Sequence, residues 1–290
     1  MRGIKSISIL ASALLVLTSL AISSVQSAYG AEALPQYQVY IVHYGTSDSY
    51  PMPYLMYLAS AEKNVPMDWA FWVIKGDDRV IVVDTGCNEQ MAKQWNVKGW
   101  VRSDHAIKKL GLKPEDVTDV ILTHLHWDHA NNGNIEYFPN ATIWMQKSEL
   151  AFAATEGGQN PQARIGILKE DVLRLVRYNW EGRVQLIDGS AEIYPGITCY
   201  LFPRTHTFGS QAIAVNTASG TVVVASDLVY RFENIEKMTG IGTGLDMYEC
   251  YKALVAVTKM ASSKDLIVPG HDLSVYERWP TPGGGIAEVK

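Results

Sequence analysis

The sequence predicts an α/β protein with helices layered on sheets, and two observations carry that prediction. Short β-branched runs alternate with amphipathic helical segments in both halves of the chain. No internal repeat, low-complexity linker or domain boundary interrupts them. The 290 residues, 47% of them hydrophobic, supply one sizeable core or at most two small ones. With only 19% charged residues, the chain is too apolar and aromatic for a solvated coil. A formal net charge of −5, without any cluster of Lys and Arg, argues against a surface built for nucleic acid.

The first element is a leader. Arg2 and Lys5 precede an apolar run from Ile7 to Ile22, followed by small and polar residues from Ser23 to Ala33. A basic start, an apolar middle and a small-residue end read as a secretory signal peptide over residues 1–30. Residues 31–290 then form a single domain. Cleavage after Gly30 or after Ala33 would suit a signal peptidase equally. The apolar run is shorter than the roughly 20 residues of a membrane-spanning helix, and no Cys follows it to carry a lipid. The mature protein is therefore expected to be secreted or periplasmic, without a stable membrane anchor.

Strands are predicted at Tyr37–Val42, Trp69–Ile74 and Arg79–Val83, the last two joined across a Gly76-Asp77-Asp78 turn. Further strands are predicted at Val120–Thr123, Thr142–Met145, Val184–Ile187, Thr198–Phe202, Ala212–Asn216, Thr221–Ala225 and Leu266–Val268. Helices are predicted at His105–Leu110, Ser148–Ala154, Asp171–Tyr178 and Asp246–Met260. The last repeats Met247, Cys250, Tyr251, Leu254 and Val257 at helical spacing, a face to be buried. Between the first two strands, Thr46–Asp68 holds Pro51, Pro53 and Pro66 among tyrosines and methionines, and reads as a long apolar loop. Three roles fit it: a packed surface loop, a homodimer contact, or a wall over a substrate pocket. The odd count of three cysteines excludes a disulfide-dense scaffold. Cys87, Cys199 and Cys250 read first as buried small hydrophobes, with one pairing among them left open.

The chemistry concentrates in His124-Leu125-His126-Trp127-Asp128-His129, directly after the strand Val120–Thr123. Sites of α/β folds gather at such carboxyl ends of strands. Imidazole and carboxylate are borderline ligands that suit zinc, and also iron or manganese. Histidines at alternate positions of an extended segment point to one side, and the following turn lets Asp128 and His129 face a second point nearby. One stretch can therefore seed two metal positions.

With these residues the chain resembles the metallo-β-lactamase superfamily over essentially its whole mature length. Val83-Asp84-Thr85-Gly86 is similar to the family's early D-T-G turn, and His206 in Thr205-His206-Thr207 to its next ligand. Asp227 in Ala225-Ser226-Asp227 resembles the bridging carboxylate, and His271 in Pro269-Gly270-His271-Asp272 the last histidine. The resemblance implies an αββα sandwich with metals at one edge. It implies one metal on His124, His126 and His206, a second on Asp128, His129 and His271, and Asp227 bridging both. Two zinc ions are expected, with iron, manganese or cobalt as alternatives. Two metals about 3.5–4 Å apart can hold a hydroxide between them, polarise a carbonyl and stabilise a leaving oxygen. Asp84 would then orient a ligand, or simply cap its turn. His43 and His105 match no landmark and stay outside the site.

Three features narrow the activity. Asp227 at the bridging position argues against the true β-lactamases, and the acidic charge against the members that process nucleic acid. Tyr230, three residues after Asp227, is similar to a tyrosine of the N-acyl homoserine lactonases that hydrogen-bonds the substrate carbonyl. A phenol aimed at a developing oxyanion is a suitable donor there. The family's usual P-G-H-T-P-G is replaced by Arg204-Thr205-His206-Thr207-Phe208-Gly209, which would reshape the pocket; pyridoxolactone-type lactonases share much of the pattern. The expectation is a dinuclear, quorum-quenching lactonase that opens N-acyl homoserine lactones or a related lactone by attack of a metal-bridging hydroxide. Tyr230 would stabilise the oxyanion and Asp128 would protonate the departing alkoxide. The alternatives are a glyoxalase-II-like thioesterase or other ester hydrolase, and a mononuclear iron dioxygenase of the same fold.

Overall fold

Val80–Val83 sets the pattern of the fold. Ile81 and Val83 join one apolar layer while Val82 joins another, because successive side chains of a strand face opposite ways. A strand covered on both faces reads as an unbroken apolar run, as this one does. The neighbouring strand repeats the alternation, with Trp72 and Ile74 on one side and Phe71 and Val73 on the other.

The computed structural model describes residues 33–130, 134–281 and 284–290, so the expected signal peptide over 1–30 lies outside the described residues. Residues Pro35–Lys290 form one unit. Its strands are β1 (Gln38–Pro51), β2 (Asn64–Lys75), β3 (Val80–Val83), β4 (Asp119–Ile121), β5 (Thr142–Gln146), β6 (Val184–Ile187), β7 (Ala191–Tyr194), β8 (Ile197–Phe202), β9 (Ser210–Thr217), β10 (Gly220–Ser226), β11 (Ile267–Pro269) and β12 (Ile286–Val289). Its α-helices are α1 (Met52–Leu55), α2 (Glu89–Gln94), α3 (Ser103–Ala106), α4 (Lys147–Ala154), α5 (Glu156–Gln159), α6 (Lys169–Trp180), α7 (Phe232–Lys237), α8 (Met247–Met260) and α9 (Val275–Arg278).

Two sheets result, ordered β12-β1-β2-β3-β4-β5-β6 and β11-β10-β9-β8-β7. The inner faces meet through Ile41, Trp72 and Val83 on one side and Cys199, Ile213 and Val224 on the other. The outer face of the larger sheet packs Val82, Val120 and Ile143 against Leu150 of α4 and Leu175 of α6. Leu254 and Val257 of α8 join the layer of the smaller sheet. This is the αββα sandwich that the family resemblance implies.

Several elements differ from expectation. Thr46–Asp68 is a loop only around its tip: β1 and β2 extend into it as far as Pro51 and Asn64 as an antiparallel pair, with register shifts at His43/Gly45 and Ser47/Tyr50. At its tip Met52, Leu55 and Met56 are buried, while Tyr54, Tyr57 and Leu58 are exposed. The helix expected at His105–Leu110 is α3 followed by a 3₁₀ turn over Ile107–Leu110. In α8 the buried face is Cys250, Ala253, Leu254 and Val257; Tyr251 lies outside it, exposed. Asp246 caps that helix, accepting from the N–H groups of Tyr248 and Glu249 at 2.9 and 3.2 Å. Cys87, Cys199 and Cys250 are all buried thiols. Among the described residues no helix is long and apolar enough to cross a membrane.

Candidate metal centre

Parallel pairing brings the site together. β3 and β4 run parallel, and so do β10 and β11. Asp84 therefore leaves β3 beside the loop after β4 that carries His124 to His129, and Asp227 leaves β10 beside His271 after β11. His206 arrives on the turn between β8 and β9. Three non-glycine residues with left-handed backbone mark these loops: Asp84 at φ 62°, Arg204 at 57° and Ser226 at 47°. Such conformations cost about 1–3 kcal/mol each and persist where the surroundings enforce them. Gly270 is required for a different reason. A Cβ there would lie 2.9 Å from both Asp227 Oδ1 and the Ser226 carbonyl oxygen, so only glycine lets β11 approach β10 this closely.

All seven expected ligands converge. One group comprises His124, His126, His206 and Asp227, and the other Asp128, His129, His271 and Asp227; within each, one donor atom per residue lies within 4.8 Å of the rest. His206 Nε2 is 3.2 Å from Asp227 Oδ2, and His124 Nε2 is 3.7 Å from it. On the other side, His129 Nε2 and His271 Nε2 lie 3.2 and 3.1 Å from Asp227 Oδ1. Asp128 Oδ2 stands 3.2 Å from His129 Nε2 and 3.7 Å from His271 Nε2. Asp227 thus presents one oxygen to each group.

The outer nitrogens fix which atoms face inward. His129 Nδ1 donates to Asp84 Oδ2 at 2.7 Å, and His271 Nδ1 donates to the Asp68 carbonyl at 2.8 Å. Thr123 Oγ1 gives its proton to Asp84 and so accepts from His124 Nδ1, at 2.7 and 3.0 Å. These contacts leave the Nε2 lone pairs of His124, His129 and His271 pointing inward, the arrangement found behind metal-binding histidines. The Nε2 atoms of His124 and His129 are buried and make no hydrogen bond. A buried polar atom left this way costs about 1–3 kcal/mol. A divalent cation taking those lone pairs removes the cost, so the donor set fits a metal at each group.

The electrostatics divide the same way. Burial and the neighbouring His129 hold His124 well below its ordinary range, and burial with His206 brings His126 down to about 3. Burial also disfavours charge on His129, but Asp227, Asp128 and Asp84 outweigh it and raise that imidazole. His271 is raised against burial by Asp227 and Asp128. Burial resists ionisation of Asp227, and His129 and His271 nevertheless pull it well below the carboxylate range.

Tyr230 is buried with its ring 5.7 Å from that of His206 and 5.1 Å from that of His271. Burial, then the charge of Asp227, lifts its phenol well above the ordinary value, so it stays a neutral donor. Its hydroxyl is 2.8 Å from Thr243 Oγ1, which is 3.4 Å from His206 Nδ1. Trp69 closes one side, 5.3 Å from His271, backed by Trp127 and by Tyr50 from the extended hairpin. Phe208 stacks on Phe152, and the Arg204 guanidinium lies over Phe208. A groove of about 730 Å³ includes none of the seven residues; Met52, Met56, Met247 and Tyr251 line it. Segment 239–247 borders both, with Thr239, Gly240 and Met247 on the groove and Thr243 at the centre.

His43 and His105 lie outside both groups. His43 instead meets Asp68 Oδ1 at 2.6 Å, and Tyr276 donates to Asp68 Oδ2 at 2.9 Å. Sequence reasoning missed Asp68, Thr243 and Glu149. Thr243 sits between Gly242 and Gly244, a pair that signals close approach of backbone. Asp68 is a lone acidic residue among apolar neighbours, and Glu149 follows the polar run Gln146-Lys147-Ser148 as an ordinary helix-start acid would.

The metallo-beta-lactamase superfamily model matches residues 70–271. An N-acyl homoserine lactonase of Bacillus cereus is 28% identical over 228 residues, covering 72% of this chain and 82% of its own. The N-acyl homoserine lactonase AiiB of Agrobacterium fabrum is 25% identical over 178 residues, 56% of this chain and 63% of its own. Among solved structures, a B. thuringiensis AiiA mutant with N-decanoyl-L-homoserine bound at the active site superposes with a TM-score of 0.70 at 22% identity, covering 87% of this chain and 99% of that one. AidC, a dizinc quorum-quenching lactonase in complex with a product, gives 0.65 at 16% identity over 89% of this chain and 95% of its own. These two likenesses bear on the fold.

Proposed function

The chain belongs to the metallo-β-lactamase superfamily and is a metal-dependent hydrolase, and from that premise we propose that it is a dizinc lactonase opening N-acyl homoserine lactones or a closely related lactone. The observation that carries this reading is Tyr230, a neutral buried phenol beside two converging donor groups that share Asp227. The names of its relatives in Bacillus and Agrobacterium support the same substrate class.

His124, His126, His206 and Asp227 would hold one ion, and Asp128, His129, His271 and Asp227 the other. When bound, such ions bring the ionisation of water towards neutrality and polarise a carbonyl. Tyr230 donates its phenolic hydrogen to the oxyanion that develops as the ring carbonyl is attacked. Thr243 holds that hydroxyl in place between turnovers. Asp128, whose carboxylate stands at the edge shared with His129 and His271, takes up the proton that the attacking water loses and returns it to the departing ring alkoxide. Trp69 and Trp127 keep water from that side.

The zinc-loaded protein assayed on acyl-homoserine lactones, simple lactones and acyl thioesters tests the reading. Ring opening as the fastest reaction supports it. Preferred thioester hydrolysis would mean a glyoxalase-II-like enzyme, and oxygen consumption with one iron per chain would mean a dioxygenase. Export through residues 1–30 belongs to the same proposal. N-terminal sequencing of the exported protein should begin at Ala31 or Leu34; an intact Met1 would refute export by cleavage.

A further inference from the structure

Glu149 is a buried carboxylate that the chemistry above does not use. It sits in the first turn of α4, where the helix end favours negative charge. Its two oxygens serve two different loops. Oε1 accepts from the Leu125 N–H at 3.0 Å, between His124 and His126. Oε2 accepts from the Gly209 N–H at 2.6 Å, three residues past His206. Gly209 allows this approach, since a Cβ there would come within 2.5 Å of the Glu149 backbone nitrogen. At the base of the same loops Gln211 makes a separate tie, its N–H to the Thr123 carbonyl at 3.0 Å and its side-chain amide to that of Leu122 at 2.8 Å. The other donor group has contacts that do not involve Glu149. Asp84 holds His129, Tyr44 donates to the Asp128 carbonyl at 3.1 Å, and the Asp68 carbonyl holds His271.

Building on the two-metal reading, we propose that Glu149 is a positioning residue for one ion only: it staples together the tips of the loops that carry His124, His126 and His206. Glutamine in its place accepts one N–H but turns its own NH₂ towards the other, so one loop tip is released while the Gln211 tie keeps the fold. Removing a group that orients metal ligands typically weakens the metal by about 10–100-fold.

The test compares metal binding of the wild-type chain with that of Glu149→Gln, by chelator competition and by the absorption of the cobalt-loaded protein. His206→Ala supplies the reference for the bands of the affected ion. The expected result is a loss of about 10–100-fold in affinity for one ion, with the His206-dependent bands diminished and the second ion held within about twofold of wild type. Gly209→Ala, which pries the same loop from α4, should reproduce that pattern and decides the matter if Glu149→Gln does not fold. Two ions held as tightly as in the wild type would overturn the assignment. So would equal weakening of both ions with a lowered melting temperature of the metal-free chain, the mark of a merely structural role. A wild-type chain that binds fewer than two ions would overturn the parent reading, and this assignment with it.

Discussion

Replacing Asp84 by asparagine changes one atom and should cost one of the two metals. Asp84 accepts three hydrogen bonds, each 2.7 Å long: from the Thr123 N–H, from the Thr123 hydroxyl and from His129 Nδ1. Short bonds to a carboxylate are the strong kind. Asparagine can still accept from the Thr123 N–H, and Thr123 Oγ1 can turn to accept from the new NH₂. His129 has no such remedy. Either its Nδ1–H faces an N–H₂ and loses its acceptor, or the ring changes tautomer and Nε2 carries a proton into the centre. Loss of a hydrogen bond to a charged group is worth about 1.5–3 kcal/mol. At about 1.4 kcal/mol per decade, this corresponds to a fall in affinity of roughly 10–100-fold for the ion at Asp128, His129 and His271. Competition against a graded series of chelators reads it directly. Affinity for both ions within twofold of wild type would refute the reasoning, and an equal loss of both would refute the tautomer argument in particular.

Tyr230→Phe should lower kcat for ring opening by about 10²–10³-fold, the usual cost of one oxyanion donor, and Thr243→Val should cause a smaller fall in kcat at unchanged KM. A Tyr230→Phe enzyme with wild-type kcat would remove the phenol from the mechanism. Metal affinity should depend on pH differently at the two positions. Asp227 and Asp128 raise His129 and His271 against burial, so protons compete with a metal there most strongly, and it binds more tightly as pH rises. His124 and His126 are held low, the latter to about 3, and are proton-free near neutrality. Acid should therefore strip the ion at His129 and His271 first; simultaneous loss of both in a pH titration of bound metal would count against this. Burial pushes the thiols of Cys87, Cys199 and Cys250 up to about 12, so a thiol reagent at pH 8 should label none in the native protein and all three in denaturant. Rapid labelling of any thiol in the native state would show that the site is open.

What the sequence revealed depended on how local the cause was. Strands such as Thr142–Gln146 and Gly220–Ser226 were legible because their own apolar residues dictate burial. β7 escaped notice because this edge strand, Ala191–Tyr194, buries none of its side chains fully and shows no alternation. β12 is four residues at the end of the chain, made a strand by pairing Val289 with Val39, a partner 250 residues away. The prolines and tyrosines of Thr46–Asp68 suggested a loop, whereas long pairing with bulges lets β1 and β2 run on to Pro51 and Asn64. The site followed the same rule. His124 to His129 announce themselves by spacing, while Asp84, His206, Asp227 and His271 were found through the order of family landmarks. Glu149, Asp68 and Thr243 act through backbone groups and hydroxyls brought near by topology, which leaves no spacing to read.

The measurement that tests the central claim most directly is metal per chain and lactone turnover on one preparation. The protein is purified without chelator, its metals are counted, and ring opening of an acyl-homoserine lactone is followed before chelation, after it, and after zinc is restored. The account predicts two ions per chain, activity lost with them and regained on their return. Ring opening that is indifferent to chelation, or a fully active chain holding a single ion, would contradict it.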